Sequence, residues 1–359
     1  MIRFRNNRFA AVALAAGLVV GGMMATSSVA LAGGEVSALT WEGYTDPSFV
    51  SKFEEQSGCK FTSTYVGSND EYPAKLAAGN SAYDVVSPSV DTTSILAKMG
   101  VVEPLDLSRI KAWDDLYDLF KNHDGINYNG EVYGVPVTWG SIAFMYLTDK
   151  FETPPTSVTT MWDPKYEGKV SLWDDKTNIY MTARMLFGKE INVYDLNDDQ
   201  LAQVRDKLIE QKPMVRKYWA TAGELVNLYA NGEVWISNTW GGYQSFLLAE
   251  QGIDVTEFIP DENADGWQDA WQIVKGTPNL DCAYKWLDFA SSVEGQCGVV
   301  AVTGYSGTNP EALKTCLSPD EFTALHQDDV GYINKLDFWQ EPARVDKYIE
   351  TWNAVKAAQ

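Results

Sequence analysis

The sequence predicts an α/β protein of two domains, and three observations carry that reading. Short strands and helices alternate along the 359 residues, which implies βαβ units and largely parallel sheets. About 327 residues remain after a leader is set aside, more than one hydrophobic core usually organises. Several strand ends also repeat one combination, an aromatic residue beside an acid and small residues. In open α/β sheets the ligand crevice lies outside such strand ends.

Residues 1–32 read as an export signal. Arg3, Arg5 and Arg8 precede an apolar run from Phe9 to Met24, and Ala30-Leu31-Ala32 supplies a small-residue cleavage site before Gly33. No cysteine stands at that site, which argues against a lipoprotein. No later run reaches the roughly 20 apolar residues that span a bilayer. The mature chain is expected to be soluble and exported. Removing the three leader arginines takes the formal charge from −21 to −24. That balance argues against nucleic acid and anionic membranes as partners and favours cationic ligands.

In chain order, a strand ends at Leu39-Thr40-Trp41. Ser48 to Ser57 reads as a helix with Phe49, Val50 and Phe53 inward, stopped at Gly58. Cys59 to Tyr65 is a strand, Asp70 to Ala78 a helix ended by Gly79, Tyr83 to Ser87 a buried strand and Ser94 to Met99 a helix. Tyr133 to Gly140 is a strand and turn, Ile142 to Leu147 an apolar strand, and Lys169 to Trp173 a strand followed by Asp174-Asp175. Asn178 to Gly188 is a helix with Met181, Met185 and Leu186 inward, and Leu196 to Glu210 a more polar one. Val215 to Trp219 and Val234 to Asn238 are strands around a helix at Glu224 to Tyr229, and a short helix follows at Ser245 to Glu250. Gly266 to Val274 places Trp267, Asp269, Trp271 and Ile273 on one face at period two. Helices follow at Asp281 to Ala290, Val293 to Val300 and Val345 to Val355.

Four strand ends carry an indole: Trp41-Glu42-Gly43-Tyr44, Trp173-Asp174-Asp175, Trp240-Gly241-Gly242 and Trp267-Gln268-Asp269. Indole faces and carboxylates both attract a cationic amine, so together they suit an amine pocket. Catalytic patterns are missing: there is no Gly-x-Ser-x-Gly elbow and no Walker loop. His123 and His326 are too few for a His-based metal centre. No cofactor is expected. The four cysteines of an exported chain, Cys59, Cys282, Cys297 and Cys316, imply two disulfides with three possible connectivities.

An ordered set of motifs runs over nearly all of the chain after the leader. It comprises Trp41-Glu42-Gly43-Tyr44, Ala82 to Ser89 (AYDVVSPS), Val135 to Gly140 (VPVTWG), Trp162 to Lys169 (WDPKYEGK) and Asp174-Asp175. Gly232-Glu233-Val234, Trp240, Trp267-Gln268-Asp269, Gly304-Tyr305, Asn309-Pro310 and Trp339-Gln340 complete it. In these the chain resembles the periplasmic substrate-binding proteins of ABC importers, in the spermidine/putrescine-binding group. The resemblance implies the two-lobed type II fold, with residues 33–141 plus 269–313 as one lobe, 142–268 plus 314–359 as the other, and the ligand cleft between them. It implies a monomer that closes on its ligand and docks on an inner-membrane permease. Carried over residue by residue, Trp41, Tyr44, Trp240, Trp267 and Tyr305 form an aromatic box, Asp175 and Asp269 hold ammonium groups, and Gln340 hydrogen-bonds one. Cys282–Cys316 and Cys59–Cys297 are the favoured disulfide pairs.

Two departures concern the ligand. Polyamine receptors have a second acid where this chain has Asn178, and an aromatic residue near the place of Asp91. The first expectation is a polyamine, putrescine or spermidine. The alternative is a zwitterion or quaternary amine, γ-aminobutyrate or a betaine, whose carboxylate would pair with Arg216. From another class, a secreted carbohydrate-active enzyme would use Asp175 and Asp269. A receptor that signals through a membrane sensor is a third option.

Overall fold

A computed structural model describes residues 34–77, 82–327 and 329–358. The leader and the expected helix end at Ala78-Gly79 lie outside the described residues. The strands in chain order are β1 (Glu35–Thr40), β2 (Lys60–Tyr65), β3 (Val85–Val86), β4 (Val102–Glu103), β5 (Asn127–Tyr128), β6 (Glu131–Val132), β7 (Val135–Ser141), β8 (Phe144–Leu147), β9 (Val170–Trp173), β10 (Val215–Trp219), β11 (Ile236–Asn238), β12 (Val255–Phe258), β13 (Ala264–Val274), β14 (Ser306–Gly307) and β15 (Leu336–Phe338).

They form two main sheets, each mixed. The first runs β14-β7-β13-β3-β1-β2, with β4 and β15 also on β13, and the second runs β10-β9-β11-β8-β12. Parallel pairing appears where helices cross over, at β1–β2, β1–β3, β9–β10 and β9–β11. The long strand β13 runs antiparallel to β3, β4 and β7, and β8 runs antiparallel to β11 and β12. All of β13 belongs to the first sheet, where β15 joins it. The last helix, Val345–Ala357, packs instead on Asp198–Gln211 beside the second sheet.

Local chemistry sets the helix that follows the first strand. Asp46 accepts from the Ser48 amide, Pro47 opens the helix Pro47–Ser57, and Gly58 closes it at φ 72°. Phe49, Val50 and Phe53 are buried, as the periodicity requires. In the helix Asn178–Phe187 Met181 is buried but Leu186 is exposed, contrary to expectation. The inward position belongs to Arg184, whose Nη2 lies 2.7 Å from both Asp265 and Asp337. A buried guanidinium with two carboxylate partners is tolerated where an unpaired one is not.

The disulfides differ from the favoured pairs: they are Cys59–Cys282 and Cys297–Cys316. The helix Leu280–Ser291 packs on β1 and brings Cys282 to the start of the neighbouring β2, where Cys59 stands. The helix Val293–Thr303 packs on Pro310–Leu313, and Cys316 follows that helix directly.

Candidate functional site

A narrow cavity of about 20 Å³ between the two sheets is lined by Trp41, Tyr44, Ser89, Ile142, Trp173, Trp240, Trp267, Asp269, Tyr305 and Trp339. Trp41 and Tyr44 follow β1, Ser89 follows β3, and Trp267 and Asp269 lie within β13. Trp173 ends β9 and Trp240 lies just beyond β11, so the second sheet supplies the facing wall.

The turn after β1 needs Gly43 at φ +89°, and a Cβ there would come within 2.9 Å of Thr303. That turn aims Tyr44 at the centre of the site. Trp267 is laid over Gly140, where any Cβ would meet its ring at 2.6 Å, and its Nε1 donates to the Trp240 carbonyl at 2.9 Å. This bond ties the two walls together, as does Trp173 Nε1 donating to the Gly67 carbonyl at 2.9 Å.

Two aromatic groups result. Trp41, Trp173 and Trp240 meet edge to face with centroids 5.7–6.3 Å apart, and Trp339 stacks on Trp173 at 6.1 Å. Tyr305 meets Trp267 at 4.7 Å and Tyr44 at 6.2 Å. Edge-to-face packing of this kind holds ring orientation firmly.

Asp269 is the carboxylate of the cavity. Ser89 Oγ donates to its Oδ1 and Tyr44 Oη to its Oδ2, both at 2.5 Å, and Thr138 shares a second short hydrogen bond with Tyr44. Burial pushes the Asp269 pKa up to about 7, against the Ser89 and Tyr44 hydrogen bonds, which lower it. Burial, and then the Asp269 charge, raise the Tyr44 phenol well above its ordinary value. The site therefore presents one carboxylate, held by two hydroxyl donors and surrounded by rings.

Of the expected ligand-binding residues, the structure brings together Trp41, Tyr44, Trp240, Trp267, Asp269 and Tyr305. The others are placed elsewhere. Arg216 is half exposed on β10 and its Nη2 lies 2.6 Å from Glu233, because β10 edges the second sheet and turns its early residues outward. Gln340 is exposed and borders a separate groove with Glu341 and Lys98; it is its neighbour Trp339 that turns into the cavity. Asn178 spends its amide on the chain, donating to the Trp173 and Asp175 carbonyls and accepting from Asn238.

Asp175 and Asp91 are buried beside the cavity but do not line it. Asp91 is ion-paired instead, with the Lys176 Nζ 3.4 Å from it and 3.2 Å from Asp70, and Asp175 Oδ1 accepts from the Thr177 amide at 2.9 Å. Burial pushes Asp175 to about 7, opposed by Lys176. On β13, Trp271 packs on Trp286 at 5.3 Å rather than reaching the site.

Sequence reasoning missed Trp339 and Ser89 as wall residues and Lys176 as the partner of the acids. Trp339 lies in a motif that had been matched, but the amide beside it drew the assignment. Lys176, directly after Asp174-Asp175, was the visible signal that these acids had a cation of their own.

A family model described as bacterial extracellular solute-binding protein matches residues 48–327. The chain is 27% identical over 295 residues to the putrescine-binding periplasmic protein PotF of Escherichia coli, covering 76% of this chain and 78% of that protein. Among solved structures, the spermidine/putrescine ABC transporter substrate-binding protein PotD of Streptococcus pneumoniae superposes with a TM-score of 0.72 at 21% identity, over 90% of this chain and 98% of that one. The binding protein MotA of A. tumefaciens B6, in complex with glucopine, gives 0.75 at 19% identity, over 90% and 99%. These likenesses establish the two-lobed binding-protein fold.

Proposed function

The chain belongs to the bacterial extracellular solute-binding protein family, and on that premise we propose that it is the periplasmic receptor of an ABC importer, capturing a small amine without chemical change. The observation that carries this reading is the single buried carboxylate of Asp269 inside a wall of tryptophan and tyrosine. An ammonium group entering the cavity pairs with Asp269, and the aromatic faces add cation–π attraction of about 0.5–2 kcal/mol per contact. The methylene chain gains by burial against Trp41, Trp173 and Trp240. Putrescine and spermidine, carried in the names of sequence relatives, are the first amines to test.

The lobe division at 141/142 and 313/314 stands as part of this proposal, with the middle boundary moved from 268/269 to before Ala264 because β13 pairs wholly in the first sheet. Export through residues 1–32 and docking on a membrane permease belong to it too. The walls of the two sheets are already joined by the Trp267–Trp240 and Trp173–Gly67 bonds, so a ligand enters by hinge opening and is held on closure. Arg216, ion-paired at the surface, gives no support to a zwitterion held by that residue.

Calorimetry and tryptophan fluorescence with putrescine, spermidine, γ-aminobutyrate and glycine betaine test the reading. Saturable binding of at least one amine, with a fluorescence change from the cavity indoles, is the expected result. Binding of none of them, or turnover of chromogenic glycosides dependent on Asp175 and Asp269, would overturn it.

A further inference from the structure

Beside the aromatic cavity lies a second acidic cluster, and it already holds a cation. Lys176 follows β9 of the second sheet and is 2% exposed. It reaches Asp70, just before the helix Glu71–Leu76, and Asp91, in the first turn of the helix Val90–Met99. Asp175, next to Lys176 in the chain, is 1% exposed and its Oδ2 has no hydrogen-bond partner among the described residues. The cluster adjoins the cavity, because Asp91 stands two residues from Ser89, the donor to Asp269.

A diamine in such a receptor needs two acidic ends. Asp269 supplies one. The neighbouring carboxylates could supply the other, but the chain has placed its own ammonium among them. Burial disfavours the Lys176 charge, yet Asp175, Asp70 and Asp91 outweigh burial and keep it protonated. Lys176, 2% exposed, occupies the space between these carboxylates, so a second ligand ammonium has to displace it to reach them.

We propose that Lys176 acts as a built-in counter-ion for the second acidic cluster, so that the site selects an amine with one ammonium group and discriminates against diamines. The ligand's other end is addressed by different chemistry. The indole nitrogens of Trp41 and Trp240, two residues that line the cavity, are buried donors with no acceptor among the described residues. Buried donors left unpaired are costly. A ligand with an oxygen acceptor at its far end satisfies them, and an alkylammonium end cannot. The class that fits is a short aliphatic molecule with one ammonium and one hydrogen-bond acceptor.

This inference rests on the amine-receptor reading. Its test is calorimetry of the mature wild-type chain with a matched four-carbon series: butylamine, 4-aminobutanol, 4-aminobutyrate and putrescine. The expected result is that 4-aminobutanol or 4-aminobutyrate binds at least about tenfold tighter than putrescine. In Lys176→Met the freed acids accept a second ammonium, and putrescine gains at least about tenfold relative to 4-aminobutanol. In Lys176→Met with Asp91→Asn that gain shrinks. Putrescine as the tightest ligand of the wild-type chain overturns the inference and leaves the amine receptor standing. An unchanged ratio in folded Lys176→Met also overturns it. If Lys176→Met does not fold, the wild-type ratio decides alone. Failure of the whole series, and of the four ligands named above, overturns the receptor reading itself.

Discussion

Amine binding should be strongly pH-dependent, and Asp269 sets the size of the effect. Burial pushes its carboxyl up to about 7. The ammonium pairs only with the ionised form, so bound ligand displaces the proton. At pH 5, two units below that pKa, about 1% of the site is ionised. The cost of ionising it is then about 2.7 kcal/mol, close to a hundredfold loss of affinity relative to alkaline pH. At pH 7 the loss is about twofold, and above about pH 8 the affinity should be flat. Calorimetry from pH 5 to 8.5, in buffers of different ionisation enthalpy, measures both the affinity and the protons released. Release should approach one proton per ligand at the acid end and vanish at the alkaline end. Asp269→Asn should bind weakly at every pH, by roughly 2–5 kcal/mol for a buried charge partner removed, and lose the pH slope. An affinity constant from pH 5 to 8 would refute the reasoning. A full slope retained in Asp269→Asn would assign the proton to Asp175, whose pKa is also about 7.

The empty protein should behave in the opposite sense. Burial first, against opposing partners, raises Asp175 and Asp269 to about 7 and Asp265 to about 6, whereas an unfolded aspartate titrates near 3.9. The folded state thus holds more protons between about pH 4 and 7, so stability falls as pH rises through that window. Thermal melts should give a higher Tm at pH 5 than at pH 8, and the reverse order would contradict these assignments. Gly140→Ala places a Cβ 2.6 Å from Trp267; displacement of that indole should weaken amine binding at least about tenfold with native circular dichroism retained, and unaltered binding would show that Trp267 does not contact ligand. Peptide mapping without reduction should recover Cys59–Cys282 and Cys297–Cys316. Removing the first, which closes a span of 223 residues, should destabilise more than removing the second, which spans 19, by about 5 against about 3 kcal/mol on chain entropy; equal denaturant midpoints for the two variants would contradict that ranking.

Much of the fold was legible because it follows from local rules. Asp46-Pro47 and Gly58 bracket the helix between them, and the apolar spacing of Phe49, Val50 and Phe53 sets its inner face. The four indoles Trp41, Trp173, Trp240 and Trp267 were visible as a group and all line the cavity, although Trp267 lies inside β13 and not at a strand end. Strand ends share one side of a sheet, so residues far apart in sequence converge without any long-range detail being known.

The rest depended on which elements pack together. Local sequence offered three cysteine pairings, and the seating of the helix Leu280–Ser291 on β1 chose Cys59–Cys282. Arg216 and Arg184 look equally available as charges in the sequence. An edge strand carries the first to the surface beside Glu233, and a buried helix face carries the second to Asp265. The same holds at the site. Composition determined that acids and aromatics would meet a cation. Tertiary structure decided that Asp269 keeps its carboxylate for the cavity, while Asp91 and Asp70 share Lys176. Periodicity gives the direction of a side chain along its own element. It does not give the partner that another element brings, and a buried charge is defined by that partner.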